Sequence, residues 1–125
     1  MPSDPTRPRA AVIFHGIGRP ARPMEPGEEV FWFSRDRFRR ILDRIAALPG
    51  PGVHVTFDDG NASDIEIALP ELAARGLTAT FFLLTGRLDR PGSLGSQDVT
   101  ALAAAGQCIG LHGDAHTDWR RLDAA

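Results

Sequence analysis

The sequence predicts an α/β fold in which parallel strands are joined by crossover helices, either as an open doubly wound sheet or as a (β/α) barrel. Two observations carry that prediction. Short apolar runs rich in Val, Ile, Thr and Phe alternate with segments whose apolar residues recur at helical spacing, and Pro or Gly separates one from the next. The apolar runs are also nearly continuous, with few polar residues between, which is the pattern of strands covered on both faces.

The first run, "AAVIFH" at residues 10–15, reads as a buried strand ending at His15-Gly16, and the Pro-rich residues 18–29 follow as a loop. "SRDRFRRILDRIAAL" then sets Phe38, Ile41, Leu42, Ile45 and Leu48 at helical spacing, with Ser34 as N-cap and Pro49-Gly50-Pro51-Gly52 as the stop. "VHVTF", residues 53–57, is the second main strand. Ser63 and Glu66 have capping-box spacing and open the next helix. Pro70 demands a kink or a second start in that helix, and Gly76 ends it. "LTATFFLL", residues 77–84, is another buried strand. A short helix near Ser96 to Ala105, stopped by Gly106, leads to a last strand, "CIGLH", residues 108–112.

Composition narrows the chemistry. A chain of 125 residues forms one domain or part of one, and 42% hydrophobic with 24% charged residues is ordinary for a globular protein. The formal net charge of -2 gives no electrostatic reason to expect nucleic acid. All 14 basic residues are Arg, which excludes a Schiff-base or phosphate-loop lysine. The single cysteine, Cys108, cannot form an internal disulfide and reads as a buried structural thiol. Residues 1–9 are expected to be a flexible Pro-rich N-terminus. They contain neither a signal-peptide core nor a membrane span, so no membrane is expected as a partner and the expected location is cytoplasmic.

In both candidate architectures, the loops leaving the C-terminal ends of the strands build the active site. Asp58 and Asp59 follow "VHVTF" and His112 ends "CIGLH", so these residues are expected on one face. Adjacent carboxylates repel, and along a regular strand they would point to opposite sides; a solvated turn or a nearby positive charge would each accommodate them. His112 and His116 are four apart and can share a cation, with Gly113 favouring a loop over a helix. The metalloprotease helix is disfavoured, because no Glu follows the first His. Two imidazoles and one carboxylate make a ligand set with open positions, which leaves the second carboxylate, turned aside at Gly60, to take a proton from attacking water.

The other polar and aromatic candidates have plainer readings. His15 could line the substrate site, although a satisfied histidine beside a turn is the simpler expectation. His54 lies within a strand. Trp32 and Trp119 could stack on sugars, with packing as the commoner use. Arg35, Arg37, Arg39, Arg40 and Arg44 read as the solvated side of their helix.

"TFDDG" (Thr56 to Gly60) followed by "HGDAHT" (His112 to Thr117) resembles the first two motifs of the polysaccharide deacetylases, the NodB-homology or carbohydrate esterase family 4 enzymes. The likeness extends over Thr56 to Leu88 and over the helix from Phe31 to Asp43, and so covers most of the chain from about Ala11. It implies that Asp58 is the general base and that Asp59, His112 and His116 hold a divalent metal, most often zinc. The implied reaction hydrolyses an N-acetyl or related acyl group on a carbohydrate, giving acetate and a free amine. A small amide is the alternative substrate, since relatives of the fold open cyclic amides and imides. Two departures stand out. Gly113 replaces the usual Ser or Thr after the first metal histidine, and the family's later motifs, including a general-acid histidine, lie beyond this chain. A full barrel needs roughly 200 residues or more. Residues 10–125 are therefore expected to be the N-terminal portion of a deacetylase domain, a partial irregular (β/α) barrel, with a non-catalytic metal- or glycan-binding protein of the same fold as the second reading.

Overall fold

The computed structural model describes residues 10–48 and 52–113. In chain order the elements are β1 (Ala10–Phe14), β2 (Gly16–Ile17), β3 (Trp32–Phe33), α1 (Arg35–Ala46), β4 (Val53–Asp58), α2 (Leu69–Ala74), β5 (Thr80–Leu83), α3 (Ser96–Ala104) and β6 (Cys108–Leu111). Short 3₁₀ turns cover Glu28–Phe31 and Thr85–Arg87, and a π-helical turn, Asp64–Ala68, runs directly into α2.

Four strands form one parallel sheet in the order β1-β4-β5-β6. Each main strand lies beside the preceding one, whereas a doubly wound sheet reverses its order at a switch point, so the barrel alternative is the one adopted, and only in part. β2 and β3 make a separate two-residue parallel pair. A row of rings crosses the sheet in register: Phe14 stacks on Phe57 at 5.3 Å and Phe57 on Phe81 at 4.7 Å. Phe38 of α1 meets Phe14 edge-on, and Leu42, Leu72 and Leu102 complete the buried layer between helices and sheet. These contacts explain why the strand and helix patterns coexist, since each helix buries its apolar stripe on the same sheet face.

The local signals held in several places. Ser34 caps α1 by accepting the Arg37 N–H at 3.2 Å. The five helix arginines are exposed, as read, although Arg39 also pairs with Glu71 of α2 at 2.6 Å. Pro70 sits in the first turn of α2, where its missing N–H costs no hydrogen bond, and the π turn before it is the second start that the proline required. Gly76 at φ +65° closes that helix, with Leu77 N–H bonding to Leu72 O and Gly76 N–H to Ala73 O. Among the described residues no helix is long and apolar enough to cross a membrane.

Three expectations need correction. Ser63 makes no capping bond; its backbone is already helical, and its hydroxyl accepts the Ile17 N–H at 3.1 Å instead. Cys108 is exposed, because its side chain belongs to the sheet face opposite the helices and its strand lies at the sheet edge. The outer strands are also less buried than their apolar sequences suggest: Ile13 of β1, on the same face as Cys108, is 57% exposed, and Leu111, at the end of the outermost described strand β6, is 72% exposed. Residues 1–9 and 49–51 lie outside the described residues, and so do His116 and Trp119.

Candidate active site

The C-terminal ends of β1, β4 and β6 bring His15, Asp58, Asp59 and His112 to one rim. His15 directly follows β1, Asp58 is the last residue of β4, and His112 follows β6 with its N–H bonded to Leu83 O at 2.7 Å. The parallel register sets this convergence, because Phe14 lies opposite Phe57 and Leu83 opposite Leu111.

The two aspartates do not share an environment. Asp59 leaves the strand at φ +82°, a left-handed conformation uncommon outside glycine, while its N–H keeps a sheet-like bond to Phe82 O at 3.0 Å. That bend, continued by Gly60 at φ +67°, sends the Asp59 side chain inward to 3% exposure. Asp58 stays at the rim with 17% side-chain exposure. Asp59 Oδ1 stands 3.5 Å from His112 Nε2, and Asp58 Oδ2 stands 3.9 Å from His15 Nε2. Each carboxylate thus faces a different histidine. His15 makes no close hydrogen bond to Asp58 at that distance and instead packs its ring against Phe31 at 4.8 Å.

Asp59 Oδ1 is buried without a hydrogen-bond partner among the described residues. A tetrahedral cation bonded to two donors at about 2.1 Å holds them about 3.4 Å apart. Asp59 and His112 have that spacing, so the two donors fit a divalent ion such as zinc. No group of three His, Cys, Asp or Glu side chains is gathered for a metal among the described residues, and His116, the third expected ligand, lies outside them. His112 is followed by Gly113 at φ +93°, which bears out a loop instead of a helix at this position.

Two features of the rim were not legible from residue spacing. Asp64, at the start of the π turn, is completely buried and neither carboxyl oxygen has a hydrogen-bond partner among the described residues. Burial, followed by the charges of Asp59 and Asp58, pushes its pKa well above the ordinary carboxyl value. Alongside it, Asn61 is fully buried and its Oδ1 accepts from Arg22 Nε at 3.0 Å and Nη2 at 2.7 Å. Arg22 also forks onto Glu28, at 3.0 and 2.5 Å. Burial by itself raises Glu28, but hydrogen bonds from Arg22, the Glu25 N–H and Trp32, with the Arg22 charge, outweigh it and hold the carboxyl at about 2. Arg22 and Asn61 are 39 positions apart, so only tertiary contact reveals the pair.

Trp32 has a packing role. Its indole N–H donates to Glu28 at 3.2 Å, and its ring occupies the space where a Cβ on Gly16 would fall, 2.1 Å away. His54 is exposed, with Nε2 3.1 Å from Thr80 Oγ1, and is remote from the rim along β4.

Fold and rim together define a partial (β/α) barrel with an acidic centre at the C-terminal ends of its strands. The chain belongs to the polysaccharide deacetylase family, whose profile matches residues 46–125. Among solved structures it is similar to IcaB from Ammonifex degensii, with 25% identity and a TM-score of 0.61 over 90% of this chain and 56% of that one. It is also similar to the Streptococcus pyogenes deacetylase PplD in complex with acetate, at 20% identity and TM-score 0.71 over 90% of this chain and 59% of that one. A polysaccharide deacetylase from Bacillus cereus shares the fold at 17% identity and TM-score 0.76, covering 91% of this chain and 42% of its own. The chain therefore spans between 42% and 59% of these structures. No curated protein matches it.

Proposed function

We propose that this chain carries the water-activating part of a metal-dependent hydrolase that removes N-acetyl or related acyl groups from a carbohydrate. The observation that supports it most is the divergence of the aspartate pair at Asp59, which leaves one carboxylate buried against His112 and the other at the rim. Asp59 and His112, with His116, would hold the cation; when bound, it would polarise the acyl carbonyl and offset the repulsion between the aspartates.

Asp58 takes the proton from the attacking water, a role that suits a carboxylate with partial solvent access and no competing hydrogen bond among the described residues. His15, 3.9 Å from Asp58 Oδ2, stands beside that carboxylate at the rim, where it can line the substrate site. Residues 10–125 are proposed as the N-terminal portion of the deacetylase domain, which fits the share of the related structures that the chain covers. The test is to load the purified protein with zinc and assay release of acetate from N-acetylated chitooligosaccharides. Asp58→Asn should abolish release with zinc retained, and Asp59→Asn should lose the zinc. Loss of zinc from the Asp58 variant would overturn the assigned roles, and zinc binding without hydrolysis by the parent would favour the non-catalytic reading.

A further inference from the structure

Beyond the aspartate pair, the rim presents a large apolar side chain that the hydrolytic chemistry does not use. Phe31 is 51% exposed at the end of the 3₁₀ turn Glu28–Phe31, and its neighbour Val30 is 68% exposed. The Phe31 ring lies 4.8 Å from the His15 ring at a 36° tilt, and His15 in turn faces Asp58 at 3.9 Å. Two side-chain contacts therefore connect this ring to the carboxylate that activates water.

The turn that carries the ring is braced at both ends. Glu28, at the start of its turn, accepts from both Arg22 terminal nitrogens, from the Glu25 N–H and from the Trp32 indole. Trp32, the residue after Phe31, pairs in register with Gly16 and packs over it, fixing the far end of the turn. A side chain on a braced turn leaves less backbone entropy to lose when a ligand covers it. Arg22 and Glu28 are engaged with each other, and beside the exposed Glu29 the Phe31 ring offers a ligand an apolar face. A pyranose ring has such a face, formed by its C–H bonds, and it carries its hydroxyl groups around the edge, where they remain in water.

We infer that Phe31 is a stacking platform for a pyranose ring of the saccharide, adjacent to the sugar whose acyl group lies at Asp58. This inference rests on the deacetylase reading and extends it to a chain substrate longer than one sugar. It is tested by calorimetric titration of the zinc-loaded protein with chitotetraose and with N-acetylglucosamine, for the parent, Phe31→Ala and Phe31→Trp, together with steady-state kinetics on the tetrasaccharide. Phe31→Ala should weaken tetrasaccharide binding about tenfold, the order expected for one lost aromatic contact, and leave monosaccharide binding within about twofold. Its KM should rise with kcat preserved, and Phe31→Trp should restore both affinity and KM. Equal tetrasaccharide affinity in parent and Phe31→Ala would overturn the platform. So would an equal loss for the monosaccharide, or a concentration-dependent dimer that Phe31→Ala abolishes. The two readings fail separately: Phe31-dependent binding without hydrolysis sinks the deacetylase and leaves the platform, whereas hydrolysis by Phe31→Ala at unchanged KM does the reverse.

Discussion

Two buried charged clusters adjoin in this protein and are finished differently. Around Arg22, Glu28 and Asn61 nearly every polar atom is used: the guanidinium donates to both Glu28 oxygens, to Asn61 Oδ1 and to Pro23 O, and Trp32 and the Glu25 N–H complete the carboxylate. Asn61 Nδ2 alone is left without a partner among the described residues. Among the described residues Asp59, two residues before Asn61, keeps an oxygen unpaired, and Asp64, three residues after it, keeps two. Buried polar atoms are ordinarily paired, so a concentration of exceptions marks a place that awaits a ligand or a proton. The paired cluster is a brace, and the unpaired one is where chemistry is expected.

The comparison is tested most severely at the unpaired cluster. Asp58→Asn should lower acetate release by about 10²- to 10⁴-fold with zinc stoichiometry unchanged, as for loss of a general base. Asp59→Asn should weaken zinc binding by more than about 100-fold, beyond the effect of removing a supporting residue; competition against a chelator measures this. Binding unaffected by that change would mean that the orphaned oxygen is not a ligand.

The brace should respond in stability. Arg22→Met leaves Glu28 buried and uncompensated, and should cost about 3 kcal/mol in urea unfolding. Near-zero cost would show that the network is dispensable. Because Glu28 is held at about 2 against an ordinary 4.5, its contribution is complete above pH 4.5 and fades as pH falls towards 2. Glu28→Gln should therefore flatten the acid limb of the pH–stability curve over that window.

Asp64 should behave in the opposite sense. Its folded pKa is raised above 3.8, so the unfolded chain sheds a proton that the folded protein retains, and stability falls as pH rises from about 4. Asp64→Asn in the metal-free protein should raise Tm at neutral pH and change it little in acid. A shift independent of pH would contradict a buried neutral carboxyl. The smallest effect is expected where water competes: Asp43, 65% exposed in its 2.7 Å pair with Arg75, should change stability by less than about 1 kcal/mol when replaced by Ala.

Much of this architecture was readable along the chain. The period of Phe38, Leu42 and Ile45, the cap at Ser34 and the stops at Gly76 and Gly106 are local codes, because each depends on φ preferences or on partners within a few residues. The alternation of runs predicted parallel strands, and "TFDDG" with His112 pointed to the rim before any geometry was known. The order β1-β4-β5-β6, which decided between sheet and barrel, was beyond that reach, since strand neighbours are chosen by long-range packing. So were the exposure of Cys108, the diversion of the Ser63 hydroxyl to Ile17 and the Arg22–Asn61 clamp. Sequence by itself determined which residues could do chemistry and which segments could be helix or strand, because those properties belong to side chains and short stretches of backbone. Only the tertiary structure decided that Asp58 stays at the rim while Asp59 turns inward, because burial and the left-handed bend at Asp59 exist only once β4 is pinned between its neighbours.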